Sequence, residues 1–239
     1  MNYCIISIDN SREAKKAAIR ESLSYQEHFP AFVDARKAGE IEKWLRNPVI
    51  GWEPKIGELG IWLSQINVWR YIVDNDLDWM IAFEDDAILA PDGQELITKS
   101  MSCLPDDWDA FSLFTPDDQR DDYRYDVSYD ENGYPRLRSS MFLPNERSLF
   151  YVGNDVVCRA AHGYSGVAVM YSQKGARRLL GAVEKRGLYS TSDCFLYIEA
   201  HTGRLEMYAS HPLAKRIVTY DWANSPTLIH NTEKYNAIF

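Results

Sequence analysis

Short apolar segments alternate with amphipathic ones along the chain, which predicts an α/β fold. Residues 3–8 (YCIISI) form an apolar run typical of a buried strand. The polar residues 9–11 can cap a helix, and residues 12–25 place apolar side chains three and four positions apart. The chain therefore opens with a strand, a polar turn and a helix.

The strongest helical pattern covers residues 57–75. Its large apolar side chains recur at steps of three and four: Leu59, Trp62, Ile66, Trp69 and Val73. This spacing predicts an amphipathic helix. It leads into the apolar run 79–83 (WMIAF), which predicts a strand.

The remaining pattern predicts further alternation of strands and helices in a single domain, 1–239. Strands are expected at 31–35, 109–114, 167–171 and 204–212, helices at 39–47, 92–103 and 173–187, and a turn into a short helix at 189–203. Periodicity disappears over 115–147, which predicts an irregular loop, returns at 150–160, and is lost again in the polar tail 213–239. No repeat or linker divides the chain.

Strands that alternate with helices favour a mostly parallel sheet, whose ligands bind beyond the carboxyl ends of the strands. Glu84, Asp85 and Asp86 follow the strand 79–83 directly. Adjacent carboxylates repel one another and resist burial, and a divalent cation relieves both problems. Mg²⁺ and Mn²⁺ prefer carboxylate oxygens and often hold substrate phosphates as well. The tripeptide is thus either a site for a metal and a diphosphate or an acidic surface turn.

Composition narrows the class of protein. The net charge of −9 and the pI of about 5.1 disfavour a general nucleic-acid-binding surface. The four cysteines are far apart, without a CxxC pair, which favours free thiols in a reducing compartment. The sequence shows neither a signal-peptide pattern nor an apolar run long enough for a transmembrane segment, so we expect a cytoplasmic protein, in the host cytoplasm if it is viral.

Three segments together resemble glycosyltransferase family 25, the lipooligosaccharide (LPS) galactosyltransferase type that includes the collagen galactosyltransferases. The most specific is 57–86 (GELGIWLSQINVWRYIVDNDLDWMIAFEDD), a Gly-Glu-x-Gly helix followed by an apolar strand and the three acids. The second is the opening strand, turn and helix, 3–19. The third is 164–180 (GYSGVAVMYSQKGARRLL), followed by Asp193 in a Ser-Asp-x-Phe-Leu setting.

The resemblance implies a GT-A fold and metal-dependent transfer of a sugar, such as a hexose, from a nucleotide-diphosphate-sugar to a hydroxyl of a glycan or other acceptor, with inversion. The donor is expected to be UDP-linked and the metal Mn²⁺ or Mg²⁺. The segment 115–150 would lie on the acceptor side.

The resemblance also implies roles for individual residues. Asp86 is the first metal ligand, Glu84 holds the metal through water or contacts the donor, and Asp85 is a second ligand or orients the donor. Asp193 is the catalytic base that takes the acceptor proton. The further candidates are Ser7, Ile8 and Asp9 near the nucleotide base, Gly57 and Glu58 at the donor, and His211 as a third metal ligand. The alternatives are a helix start at Gly57 and Glu58, a helix N-cap at Asp193 and a structural role for His211.

The sequence departs from the family pattern at Gln65, where a His is usual, in the short turn at Ser11 and Arg12, and over 115–150, which matches nothing in the family. Three other functions stay open: a viral transferase acting on a hydroxymethylated DNA base, an inactive domain that only binds, and an unrelated metal phosphatase or nucleotidyltransferase.

Overall fold

The computed structural model describes residues 2–7, 12–35, 54–114, 156–160, 166–210 and 214–220, together with the backbone of 123–129 and 135–142. The strands are β1 Asn2–Ile6, β2 Gln26–Glu27, β3 Trp79–Glu84, β4 Ala87–Leu89, β5 Ala110–Ser112, β6 Tyr123–Tyr129, β7 Pro135–Phe142, β8 Val157–Arg159, β9 Ala168–Ser172, β10 Met207–Ser210 and β11 Val218–Tyr220. The helices are α1 Glu13–Ser22, α2 Ile56–Asp74, α3 Gly93–Met101, α4 Gln173–Arg186 and α5 Ser192–His201.

The described strands build a central seven-stranded sheet in the order β2-β1-β3-β9-β5-β10-β8. Strands β2, β1, β3, β5 and β10 run in one direction, whereas β9 and β8 run antiparallel to their neighbours. This mostly parallel sheet with flanking helices confirms the predicted α/β class and is consistent with a GT-A-like fold. It also brings the carboxyl ends of β1 and β3 to the same edge.

Helices cover both faces of this sheet, because its strands bury side chains on both sides. In β3, Met80 and Ala82 pack with α2, α4 and α5, while the alternate residues Ile81 and Phe83 pack with α1 and α3. Such alternation follows from the two-residue period of a strand. The helix predicted at 57–75 is α2, and its two tryptophans, Trp62 and Trp69, are fully buried.

The strand predicted at 31–35 was wrong. A two-residue strand, β2, pairs with β1 instead, and residues 28–34 have no regular structure. The amide of Val33 donates to Ser64 Oγ (3.0 Å) and the carbonyl of Ala31 accepts from the Asn67 side chain (2.8 Å). Side chains of α2 thus satisfy backbone groups that a strand would pair within a sheet.

The irregular loop predicted over 115–147 was also wrong in part, because β6 and β7 form an antiparallel hairpin there. The polar tail likewise contains a strand, β11, which pairs antiparallel with β4. The helix predicted at 39–47 lies outside the described residues. No described helix combines the length and apolar character needed to span a bilayer. All four cysteines lie in the described part and are free thiols.

Candidate functional site

The three acids occupy the end of β3 and the turn into β4, next to the end of β1. Parallel pairing places Ile6 opposite Glu84. Ser7, the next residue of that edge, donates its hydroxyl to Asp85 Oδ2 at 2.8 Å. Ser7, which was expected near the nucleotide base, therefore contacts one of the acids directly.

Arg12 joins the two aspartates. Its Nη1 lies 2.6 Å from Asp85 Oδ1 and 3.0 Å from Asp86 Oδ2. The side chains of all three residues are largely buried, with 13%, 11% and 8% of their surface exposed. Burial by itself lowers the pKa of Arg12, but Asp85 and Asp86 together raise it above its ordinary value. The positive charge of the guanidinium therefore offsets the repulsion between these two buried carboxylates.

Lys16 adds a second cation one helical turn further along α1. It is buried, and its Nζ lies 2.5 Å from Glu13 and 3.4 Å from Ser7 Oγ. Buried lysines are rare unless they are paired. Two cations, Arg12 at the N-cap of α1 and Lys16 paired with Glu13, therefore lie at the site, although the chain as a whole is acidic.

Asp86 has one carboxylate oxygen committed to Arg12 and one without a hydrogen-bond partner among the described residues, the buried Oδ1. Burial raises the pKa of Asp86, and Arg12 opposes that rise. Tyr220 lies close to Asp86, and burial together with this acid raises the pKa of Tyr220 to about 12. Pairing of Tyr220 with Ala87 in the β11–β4 register brings the tyrosine here.

Glu84 lies beside Asp193. The amide of Glu84 donates to Val167 O at 2.8 Å. This bond brings the preceding residue, Gly166, beside the two acids. A Cβ at Gly166 would lie 3.4 Å from Glu84 Oε1 and 3.9 Å from the Asp193 Cβ. Burial, then the charges of Asp86 and Asp193, raise the pKa of Glu84 to about 8. Glu84 therefore joins the acids at the end of β3 to Asp193, which comes from a separate segment.

Asp193 is the second residue of α5, and Thr191 is the N-cap, so the N-cap alternative for Asp193 was wrong. Its Oδ1 accepts from the Cys194 amide at 2.8 Å. The preceding turn is fixed by a hydrogen bond from Trp62 Nε1 to Ser190 O at 2.7 Å. The long helix α2 thus sets the position at which Asp193 enters the site.

Gly57 and Glu58 belong to the first turn of α2. Glu58 Oε2 accepts from the Lys55 amide at 2.8 Å and completes a capping box, as expected for a helix start. Gln65 is buried and accepts from the Tyr171 hydroxyl at 3.2 Å, so its described contact is with the core. The predicted site residues Ile8, Asp9 and His211 lie outside the described residues.

The acids fit a metal only in part. Among the described residues, no three His, Cys, Asp or Glu side chains are arranged to hold a metal ion by themselves. The buried, unpartnered Asp86 Oδ1 beside Asp85 nevertheless offers hard oxygen ligands. Mg²⁺-type ions commonly take one or two carboxylates together with substrate phosphates. These residues therefore fit a cation shared with a bound diphosphate.

Sequence reasoning did not identify Lys16, Gly166 or Tyr220 as site residues, and it noted Arg12 only as part of a short turn. Arg12 and Lys16 are four residues apart, the N-cap of α1 and a residue of its first turn, and this spacing was the available signal. Gly166 and Tyr220 reach the acids through the pairings of β9 and β11, which local pattern does not reveal.

A comparison with known protein families matches residues 1–196 of the 239-residue chain to the family described as glycosyltransferase family 25 (LPS biosynthesis protein). The match contains Ser7, Arg12, the three acids and Asp193. It ends within α5, before β10 and β11, so Tyr220 lies beyond it. It gives no support to an unrelated phosphatase or nucleotidyltransferase.

Proposed function

The chain belongs to glycosyltransferase family 25, and we propose that it transfers a hexose from a UDP-sugar to a hydroxyl of a glycan. The proposed transfer inverts the sugar and uses Mn²⁺ or Mg²⁺. As a glycosyltransferase, the enzyme takes a sugar donor and an acceptor. The observation that carries the proposal is that Asp193, from a separate segment, faces Glu84 at Gly166, directly before the Asp85–Asp86 pair. Family membership excludes the purely binding domain as the assignment.

The reaction requires one bond to form as another breaks. The acceptor oxygen attacks the anomeric carbon, the bond from that carbon to the diphosphate oxygen breaks, and the acceptor proton goes to a base. Asp193 is that base, because it faces the acids from a different segment and its Oδ1 is oriented by the Cys194 amide. A single displacement of this kind inverts the configuration at the anomeric carbon.

Asp86 and Asp85 would hold the metal, and a divalent cation bound there would neutralise the charge that develops on the leaving diphosphate. Glu84 would face the sugar. Ser7, Ile8 and Asp9, at and beyond the end of β1, are the candidates for contacts to the uridine.

The test is a panel of UDP-, GDP- and CMP-sugars, with Mn²⁺, with Mg²⁺ and with chelator, scored by thermal stabilisation and by slow hydrolysis of the donor. We expect one UDP-sugar to stabilise the protein and to be hydrolysed only with metal. Asp86→Ala should abolish both effects, whereas Asp106→Ala, which removes an exposed acid before β5, should preserve them. Metal-independent turnover would contradict the proposed metal dependence. A response only to GDP- or CMP-sugars would contradict the proposed UDP-linked donor.

A further inference from the structure

Arg12 and a divalent cation would use the same carboxylate oxygens. The guanidinium engages Asp85 Oδ1 and Asp86 Oδ2, and Ser7 donates to Asp85 Oδ2. Of the four oxygens of this acid pair, Asp86 Oδ1 alone has no hydrogen-bond partner among the described residues. One free carboxylate oxygen would hold a Mg²⁺-type ion only weakly, because such an ion would then rely on water for its other ligands until a phosphate supplies them.

The acid pair also requires a positive charge at all times. Two largely buried carboxylates on consecutive residues repel each other, and an uncompensated buried charge is costly. If the guanidinium left without a replacement, that cost would return. A metal ion can therefore displace Arg12 only when the released guanidinium gains another anion nearby.

A nucleotide diphosphate supplies that anion. Phosphate oxygens accept bidentate hydrogen bonds from arginine, and Arg12 stands at the N-terminus of α1 with buried Lys16 one turn further along. The diphosphate would also complete the metal's ligand set with its own oxygens. Arg12 thus has two alternative anionic partners, the aspartates and the diphosphate.

We propose that Arg12 couples the two binding events: it excludes a divalent cation from Asp85 and Asp86 in the free enzyme and admits the cation together with the diphosphate of the donor. The inference rests on the proposed function and assigns to Arg12 a positioning role. Metal and diphosphate should then each raise the affinity for the other by the same factor, as linkage requires.

The experiment measures Mn²⁺ binding by electron paramagnetic resonance, without an anion, with inorganic pyrophosphate and with UDP. For the wild type we expect weak binding of Mn²⁺ alone and binding at least about tenfold tighter with UDP, a coupling of ordinary size for linked sites. Arg12→Met should bind Mn²⁺ alone about tenfold more tightly than the wild type, and its coupling to UDP should shrink to about twofold.

Two variants control for loss of charge and loss of fold. Arg20→Met removes an arginine of the same helix that pairs with Glu27 on the surface, and should leave Mn²⁺ binding and its coupling unchanged. Arg12→Lys keeps a positive charge at the acids but loses the planar guanidinium, so it should give an intermediate coupling. This variant still tests the inference if Arg12→Met does not fold.

The outcomes separate the inference from the proposed function. If Arg12→Met and Arg12→Lys both bind Mn²⁺ no more tightly than the wild type and keep its coupling to UDP, the role of Arg12 is refuted while metal-dependent transfer stands. If the wild type binds Mn²⁺ tightly without any anion, the exclusion by Arg12 is refuted as well. If the wild type binds neither Mn²⁺ with UDP nor Mn²⁺ with pyrophosphate, the metal-dependent mechanism fails and the inference fails with it.

Discussion

Trp62 Nε1 on α2 donates a hydrogen bond to the backbone carbonyl of Ser190, 128 positions later in the chain, at 2.7 Å. The indole is fully buried and packs edge-on against Phe195, with ring centroids 4.9 Å apart. Because Asp193 lies between Ser190 and Phe195, one side chain of α2 fixes both ends of the segment that carries the proposed base.

Trp62→Phe should therefore weaken both the fold and catalysis. The variant leaves a buried carbonyl without its donor and leaves a cavity, so we expect the free energy of unfolding to fall by about 2–3 kcal/mol. A small displacement of Asp193 should lower kcat about tenfold, with little change in the KM for the donor. Urea titration and steady-state kinetics measure the two effects.

Trp79→Phe is the matched control for that prediction, because Trp79 begins β3 at the end of the strand away from the acids. It should cost stability without a specific loss of kcat. Equal kcat in Trp62→Phe and Trp79→Phe would show that the hydrogen bond to Ser190 does not position Asp193.

Asp193→Asn should separate catalysis from binding. Asn keeps an oxygen for the Cys194 amide, so stability should change by less than about 0.5 kcal/mol, but the amide cannot take a proton. We expect kcat for transfer to fall about 10²- to 10⁴-fold while the affinity for the donor, measured by calorimetry, is retained. Asp106→Asn, on an exposed turn, should behave as the wild type. Transfer above a tenth of the wild-type rate in Asp193→Asn would assign the base to another residue.

Glu84 should make the stability of the metal-free protein depend on pH. Its pKa of about 8 in the folded protein exceeds the ordinary value of 4.5, so the folded state binds the proton more tightly than the unfolded state does. This contribution is complete below about pH 4.5 and is lost as the pH rises through 8. The free energy of unfolding should therefore fall over that interval in the presence of chelator.

Glu84→Gln removes this titration and supplies the comparison. As the pH rises from 5 to 8, the unfolding free energy of the wild type should fall relative to that of Glu84→Gln. Urea titrations at constant ionic strength measure this difference. Parallel pH profiles for the two proteins would mean that Glu84 is ionised in the folded state at neutral pH.

Gly175 and Gly181, both on α4, should respond oppositely to the same substitution. A Cβ at Gly175 would lie 2.0 Å from the carbonyl oxygen of Asp109, whereas one at Gly181 would meet nothing within 4 Å. Gly175→Ala must push α4 away from β5 and should cost about 3 kcal/mol or more. Gly181→Ala should add about 0.5–1 kcal/mol, since alanine favours a helix interior. Thermal melts of the two variants measure these opposite changes in stability. A Gly175→Ala protein as stable as the wild type would show that α4 shifts easily.

Local pattern was sufficient for the main elements of the fold. The three- and four-residue spacing of Leu59, Trp62 and Ile66 predicted α2, because a helix with one continuous apolar face is stable only when that face is buried. The apolar run before Glu84 predicted β3, because such a run is stable only when it is buried. The prediction of this strand placed the acids at its carboxyl end. Pattern failed at 31–35, where the polar side chains of α2 satisfy the backbone in place of a strand partner.

The sequence by itself determined the sheet-and-helix order and the acids at the end of β3, because hydrophobic period and chain direction are local properties. Only the tertiary structure decided that Arg12 bridges Asp85 and Asp86, that Asp193 faces Glu84 across Gly166, and that Tyr220 reaches Asp86. Those contacts join segments far apart in the chain, and their partners are set by strand order and register, which depend on packing of the whole core.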